Sequence, residues 1–280
     1  MTHKVFSYAS QFWVDGSPAD SVPLSDRGLH YGDGIFETLR VVDGEIPLLS
    51  HHWHRLTLSC QKLGLPFDEP VLRQQLIKFI EHRGSGTAKI MITRGSGGRG
   101  YNPAGAKGRS ILGWFPEVSL PDDRSRHGLS VTFCDTVLGH SPVLAGMKHL
   151  NRLEQVLARA ELHNTQYCEG VMRDIDGWVI EGTMSNLFLV ESGRIVTPDL
   201  SLCGVDGVLR QWLIKNSSVA DTVTIEKITR SRLLTADEVF VGNSVMGVVP
   251  VIHCEDVQWL PGPVSRRVQQ EVFQLFHVDG

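Results

Sequence analysis

Lys148 stands in Leu144-Ala145-Gly146-Met147-Lys148-His149-Leu150-Asn151-Arg152-Leu153-Glu154-Gln155, after a small, apolar approach and directly before a run with helical spacing. Partial desolvation of a lysine so placed lowers its pKa and frees the lone pair for Schiff-base chemistry. A solvated lysine at a helix start is the plainer alternative on this segment alone. Four other segments carry complementary groups. Glu181 ends the apolar strand Trp178-Val179-Ile180-Glu181 and precedes Gly182-Thr183-Met184-Ser185-Asn186; a carboxylate there either partners a cationic ring nitrogen or faces water. Gly204-Val205-Asp206-Gly207-Val208-Leu209-Arg210 enters a helix through glycines. Backbone N–H groups at such a turn bind anions, reinforced by the helix dipole, unless the turn is an ordinary cap with Asp206 as the capping residue. Asn243 and Ser244, after the strand 238–241, offer an amide and a hydroxyl to the same anion. Arg94 and Arg99 flank a glycine-rich loop, where guanidinium groups suit carboxylates.

An amine, an acidic partner for a ring nitrogen, an anion cup and an arginine are the groups that pyridoxal 5'-phosphate requires. Other cofactor and metal readings are weaker. Gly95-Ser96-Gly97-Gly98-Arg99-Gly100 matches the dinucleotide-binding glycine pattern and follows a predicted strand. The pattern needs a helix directly afterwards to receive the pyrophosphate, and Tyr101-Asn102-Pro103-Ala104-Gly105 will not start a long one. His51, His52 and His54 lie at positions that do not all point one way on a helix, and no nearby Cys or carboxylate completes a metal shell.

These groups need a scaffold, and 280 residues with 41% hydrophobic and 21% charged side chains bury a full core as one large domain or two smaller ones. A net charge of -4 without a basic stripe gives no support for nucleic-acid binding. No apolar run approaches membrane-spanning length, and Met1 to Phe6 lacks a signal-peptide core. Five widely spaced cysteines without a C-x-x-C pair read as reduced thiols. The expectation is a soluble, cytoplasmic protein acting on a small molecule.

The periodicity predicts strands at 12–14, turned by Asp15-Gly16, and at 35–42, turned by Asp43-Gly44. Helices are predicted at 50–63, with Ser50 as N-cap and Gly64 past the end, and at 69–82. Strands follow at 88–93 and 110–115. The second half reads as strands at 129–134, 170–172, 178–180, 186–190 and 238–241, with helices at 152–163, 208–217 and 264–276. The stretch 117–127, rich in proline and charge, reads as a linker between residues 1–116 and 128–280. The class is α+β, not a regular βαβ series.

Ser25-Asp26-Arg27-Gly28-Leu29-His30-Tyr31-Gly32-Asp33-Gly34-Ile35-Phe36-Glu37-Thr38-Leu39-Arg40-Val41 resembles the N-terminal signature of the class IV pyridoxal-phosphate enzymes. That class includes branched-chain aminotransferases, D-amino acid aminotransferases and aminodeoxychorismate lyases. Arg55, Lys148, Glu181 and Gly204 to Gly207 follow in the expected order. The resemblance implies a two-domain D-amino acid aminotransferase-like fold, with a small N-terminal α/β domain at 1–116, a larger strand-rich C-terminal domain at 128–280, cofactor bound between the domains, and a homodimer. It also implies cofactor contacts from Lys148, Arg55, Glu181, Val205, Asp206, Asn243 and Ser244. Three details are similar to the lyase branch: Thr38 where branched-chain aminotransferases typically carry glycine, the loop Arg94 to Tyr101, and the string Lys148 to Gln155. The activity implied is conversion of 4-amino-4-deoxychorismate to 4-aminobenzoate and pyruvate, a step of folate synthesis. Its catalytic groups are Lys148, Thr38 and Glu181, with Arg94, Arg99 and Tyr101 toward substrate. Transamination of branched-chain or D-amino acids is the alternative. Asp206 departs from the class pattern, which more often has a neutral Thr or Asn. A carboxylate there repels phosphate, so the resemblance implies a backbone contact with the side chain turned away.

Overall fold

The structure, a computed structural model, describes residues 11–116 and 122–276. It divides into two units, Met1–Val118 with Lys148–Asn151, and Ser119–Met147 with Arg152–Gly280. Of the stretch read as a linker, 117–121 lie outside the described residues and the remainder is helical.

The first unit runs β1 (Phe12–Val14), β2 (Ser17–Pro18), α1 (Arg27–Tyr31), β3 (Gly34–Val41), α2 (Leu49–Leu63), α3 (Glu69–Ile80), β4 (Gly86–Thr93) and β5 (Arg109–Pro116). Its antiparallel sheet has the order β2-β1-β5-β4-β3. The β1–β2 turn places Asp15 at φ 50° and Gly16 at φ 82°, the left-handed pair of a tight hairpin. Along β3, Ile35, Leu39 and Val41 are buried in one core with Leu56, Phe79, Ile90 and Leu112, while Phe36, Thr38 and Arg40 alternate to the opposite face. Glu37 breaks the apolar pattern on the buried face.

The predicted cap of α2 is corrected. The helix begins at Leu49 behind Leu48, which adopts φ 59° and makes no side-chain cap, while Ser50 lies inside the first turn. Leu48 is itself buried, so burial of an apolar side chain fixes the entry. Gly64 closes the helix in the left-handed region, as its position predicts.

The second unit contains α4 (Asp122–His127), β6 (Leu129–Phe133), α5 (Leu153–Glu161), β7 (Glu169–Arg173), β8 (Val179–Gly182), β9 (Asn186–Glu191), β10 (Arg194–Pro198), α6 (Val208–Lys215), β11 (Val223–Glu226), α7 (Arg230–Leu234), β12 (Glu238–Asn243), β13 (Gly247–Cys254), β14 (Val257–Gln258) and α8 (Pro263–Phe276). Its mixed sheet has the order β11-β10-β9-β12-β13-β6-β7-β8, with β14 on β13. Val179 on the terminal strand β8 donates to Ile228 O, just past the opposite terminal strand β11, at 2.8 Å, so the sheet curls back on itself. Leu187, Leu189, Val196, Val239, Val241, Val249 and Val251 fill its core.

Strands β10, β11 and β13 are absent from the sequence-level reading, and β13 is central. Pro250 masks it, because proline argues against an interior strand. The strand tolerates it because pairing to β6 starts one residue later, at Val251–Leu129. The architecture is α+β, as expected. All five cysteines are free thiols; burial pushes Cys60, Cys134, Cys203 and Cys254 up to about 12. Among the described residues, no helix is long and apolar enough to cross a membrane.

Candidate active site

In the first unit, Lys148–Asn151 lies along the outer edge of β3. Phe36 N–H donates to Lys148 O at 2.9 Å and Leu150 N–H donates to Gly34 O at 3.0 Å, with Ile35 bridged to His149. Asn151 Nδ2 donates to Gly32 O at 3.1 Å. A ladder edge thus fixes the lysine more firmly than a loop would. Lys148 Nζ stands 4.5 Å from the centroid of the Phe36 ring, and Lys89 Nζ stands 4.7 Å from the same ring. Thr38 is two residues from Phe36 on that face and lies directly opposite Lys89 on β4. Lys148 and Lys89 therefore stand over one aromatic ring, and Thr38 shares its face of β3. Burial lowers the pKa of Lys89. The sequence-level reading misses Lys89, although the period-two alternation of β4 places it opposite Thr38.

The substrate loop differs from expectation at Arg94. Its Nε donates to Asp33 Oδ2 at 2.8 Å, Nη1 to Gly64 O at 2.7 Å and Nη2 to Leu63 O at 2.8 Å. Nη1 and Nη2 tie the loop to the end of α2 and Nε ties it to Asp33, so Arg94 is a scaffold residue. Arg27, also missed, is buried and donates to the carbonyls of Gly100 and Tyr101 at 2.8 and 3.1 Å. It shares Asp33 Oδ2 with Arg94. Burial raises the Asp33 carboxyl, but the two guanidinium groups outweigh it and hold the pKa below its ordinary value. Arg99 and Tyr101 are exposed, and the Tyr101 ring lies 5.4 Å from that of Tyr31. Residues 101–108, directly after Gly100, form no helix that could receive a pyrophosphate.

Arg55 faces Glu37 in the buried layer between β3 and α2, with Nε on Oε1 at 2.7 Å and Nη2 on Oε2 at 2.5 Å. His52 Nδ1 is 2.7 Å from Glu37 Oε2. Burial alone raises the Glu37 carboxyl, but Arg55 and His52 bring it to about 2. His52 is lowered from its ordinary 6.5, chiefly by burial and against the pull of Glu37. Both shifts act in one direction. On acidification the unfolded chain takes protons at a histidine near 6.5 and a glutamate near 4.5, and the folded chain refuses them. Stability is full above about pH 6.5 and declines as pH falls toward 2. Thermal melts should show Tm dropping below about pH 6.5, and a Tm level down to about pH 4 would contradict this.

In the second unit Glu181 is buried at the end of β8. Its Oε2 accepts from Val205 N–H at 2.8 Å and its Oε1 from Gln155 Nε2 at 3.4 Å. Glu169, another residue missed, braces the turn after β8 by accepting from Thr183 N–H at 3.0 Å and from the Ser185 hydroxyl at 2.9 Å. The glycine turn before α6 is held from two sides. Asn186 Nδ2 donates to Val205 O at 2.8 Å. Gly146 N–H donates to Gly204 O, and Asp206 N–H to Gly146 O, both at 3.0 Å. The N-cap of α6 is Gly207, with no side-chain cap, which removes the reading of Asp206 as capping residue. A Cβ on Gly207 would lie 2.0 Å from Asn186 Oδ1.

The Asp206 carboxylate bonds to Arg210 Nη1 at 2.6 Å and Gln211 Nε2 at 3.1 Å. Its charge is balanced within α6. The N–H groups of Val205 and Asp206, expected at the anion cup, are committed to Glu181 and Gly146. The first-turn N–H groups of α6 have no intrahelical acceptor by construction. Asn243 is also corrected: its Oδ1 accepts from Val245 and Met246 N–H at 2.9 and 2.8 Å, and its Nδ2 donates to Met184 O at 3.1 Å. It shapes the β12–β13 turn and leaves Ser244 at the turn's tip.

The chain belongs to the amino-transferase class IV family, whose model matches residues 34–254. Aminodeoxychorismate lyase of Vibrio harveyi is 39% identical over 268 residues, 92% of this chain and 98% of that protein. The crystal structure of 4-amino-4-deoxychorismate lyase from Pseudomonas aeruginosa superposes with a TM-score of 0.89 at 44% identity, covering 92% of this chain and 97% of that one. Branched-chain amino acid aminotransferase of Escherichia coli shares the fold at a TM-score of 0.83 and 26% identity, with 96% and 95% covered.

Proposed function

We propose that the chain is a pyridoxal-phosphate-dependent lyase converting 4-amino-4-deoxychorismate to 4-aminobenzoate and pyruvate. The observation that carries this is its nearly full-length identity of 39% and 44% to two aminodeoxychorismate lyases, against 26% to a branched-chain aminotransferase of the same fold.

The residues fit the cofactor's needs. In the first unit Lys148 would supply the amine for its aldehyde and Arg55 a guanidinium for its phosphate; in the second, buried Glu181 would supply a carboxylate for its ring nitrogen, and the start of α6, next to Val205 and Asp206, with Ser244, would supply donors for its phosphate. When bound, pyridoxal phosphate supplies an electron sink conjugated to the substrate's amine. Glu181 holds a proton on the ring nitrogen, which keeps the sink strong. Lys148 Nζ removes the proton from the amine-bearing ring carbon of the substrate. Thr38 Oγ1, on the same face of β3 as Phe36, assists proton delivery as the ring carbon–oxygen bond breaks. The carbocycle becomes aromatic, which makes the step strongly downhill, and the departing enolpyruvate takes up a proton to become pyruvate. Lys89, Arg99 and Tyr101 are the groups we assign to the substrate's carboxylates; Lys89 replaces Arg94.

Glu181→Gln tests the ring-nitrogen role. The amide accepts from Val205 N–H as the carboxylate does, so cofactor is expected to stay bound. The loss is expected in kcat, because only the electron sink weakens. A near-normal kcat would make Glu181 purely structural.

Transamination would use the same Lys148 and Glu181 but needs a keto-acid acceptor, so turnover without an acceptor separates the two reactions. We also propose a homodimer in the cytoplasm. Leu153, Val156 and Leu157 on α5 are 76%, 59% and 58% exposed, an apolar stripe that supports self-association, and sedimentation reads the oligomeric state.

A further inference from the structure

We propose that Glu37 and His52 are positioning residues that hold Arg55 in the orientation in which it grips the cofactor's phosphate; this rests on the cofactor reading above. Glu37, His52 and Arg55 are 1%, 2% and 7% exposed, next to a core of Leu39, Trp53, Leu56 and Cys60. Stability alone does not call for such a cluster, because apolar residues of similar volume serve a core as well as a buried ion pair or better.

Its geometry points to orientation. Glu37 takes the Nε–Nη2 edge of Arg55 with both carboxylate oxygens. This two-point contact fixes the plane of the guanidinium and turns the Nη1–Nη2 edge, which suits a phosphate, away from Glu37. His52 braces the carboxylate in turn. Its Nδ1 is 2.7 Å from Glu37 Oε2, while its Nε2 is buried without a hydrogen-bond partner. The imidazole thus spends one polar atom on Glu37 and leaves the other unsatisfied, a cost that a spacer role would avoid with leucine. Burial keeps His52 neutral, so it adds a donor without a second cation competing with Arg55 for Glu37. Neither Glu37 nor His52 needs to touch the cofactor; both act through Arg55.

The test is the preference of the full-length apoprotein for pyridoxal 5'-phosphate over pyridoxal, taken as a ratio of dissociation constants. The wild type is expected to favour the phosphorylated compound strongly. Glu37→Gln is expected to reduce that preference by roughly 10-fold or more, the scale of a lost charge-assisted contact, with pyridoxal binding almost unchanged. His52→Leu is expected to act in the same sense but less. In an Arg55→Lys background, Glu37→Gln should cause no further loss of preference. Glu37→Gln leaves a buried guanidinium poorly paired; if it does not fold, Glu37→Asp decides. That variant keeps the charge but withdraws it by one methylene, and it should also lower the preference. An unchanged preference, or equal weakening of both compounds, overturns the positioning role. Failure of the wild type to bind either compound overturns the cofactor reading instead, and this one with it.

Discussion

Lys148→Ala is expected to lower kcat by ~10⁴-fold, the upper end for loss of a general base, and to abolish covalent capture of the cofactor. The two losses have one origin, since the same nitrogen anchors the cofactor and moves the substrate's proton. Lys148 is well placed for both tasks. Its backbone is locked on β3 by the Phe36 and Leu150 hydrogen bonds, and its ammonium lies over the Phe36 ring. Borohydride should bleach the visible absorbance of the wild type and leave the label on Lys148 in a peptide map. Lys89 lies over the same ring and is the natural internal control. A label on Lys89, or a Lys148→Ala variant that still turns over freely, would reassign the site.

Thr38→Ala should leave cofactor binding and covalent attachment intact and slow elimination by ~10²-fold, the usual scale for one general acid–base contributor. The hydroxyl acts only when the enolpyruvyl group departs, so the loss should fall on kcat and kcat/KM alike. Any slow transamination of amino acids relies on Lys148 and should survive. Thr38 is half-buried on a regular strand, so removing its hydroxyl and methyl should cost little stability. Unchanged production of 4-aminobenzoate would remove Thr38 from the chemistry.

The sequence disclosed the parts of this molecule that local rules govern. The helix starting at Val208 follows from its glycine entry, the end of α2 from Gly64, and the β1–β2 hairpin from Asp15-Gly16. What it concealed depends on contacts distant along the chain. Pro250 hides β13 because its tolerance depends on where β6 begins. Arg94 looked free because nothing nearby in sequence reveals that its nitrogens reach Asp33, Leu63 and Gly64. Asn243 looked like a ligand because its amide serves its own turn and Met184, 59 residues away. Lys89 was overlooked because a lone lysine on a strand carries no motif; only the pairing with β3 sets it beside Thr38. The class signature identified the chemistry, whereas the division of labour among the arginines required the fold.

The most direct measurement is single-substrate turnover. Purified protein loaded with pyridoxal phosphate is incubated with 4-amino-4-deoxychorismate and no keto acid, and both products are quantified. A lyase gives 4-aminobenzoate and pyruvate in equal amounts over many turnovers. Turnover that appears only when a keto acid is added, with no pyruvate released from the substrate, would contradict the assignment.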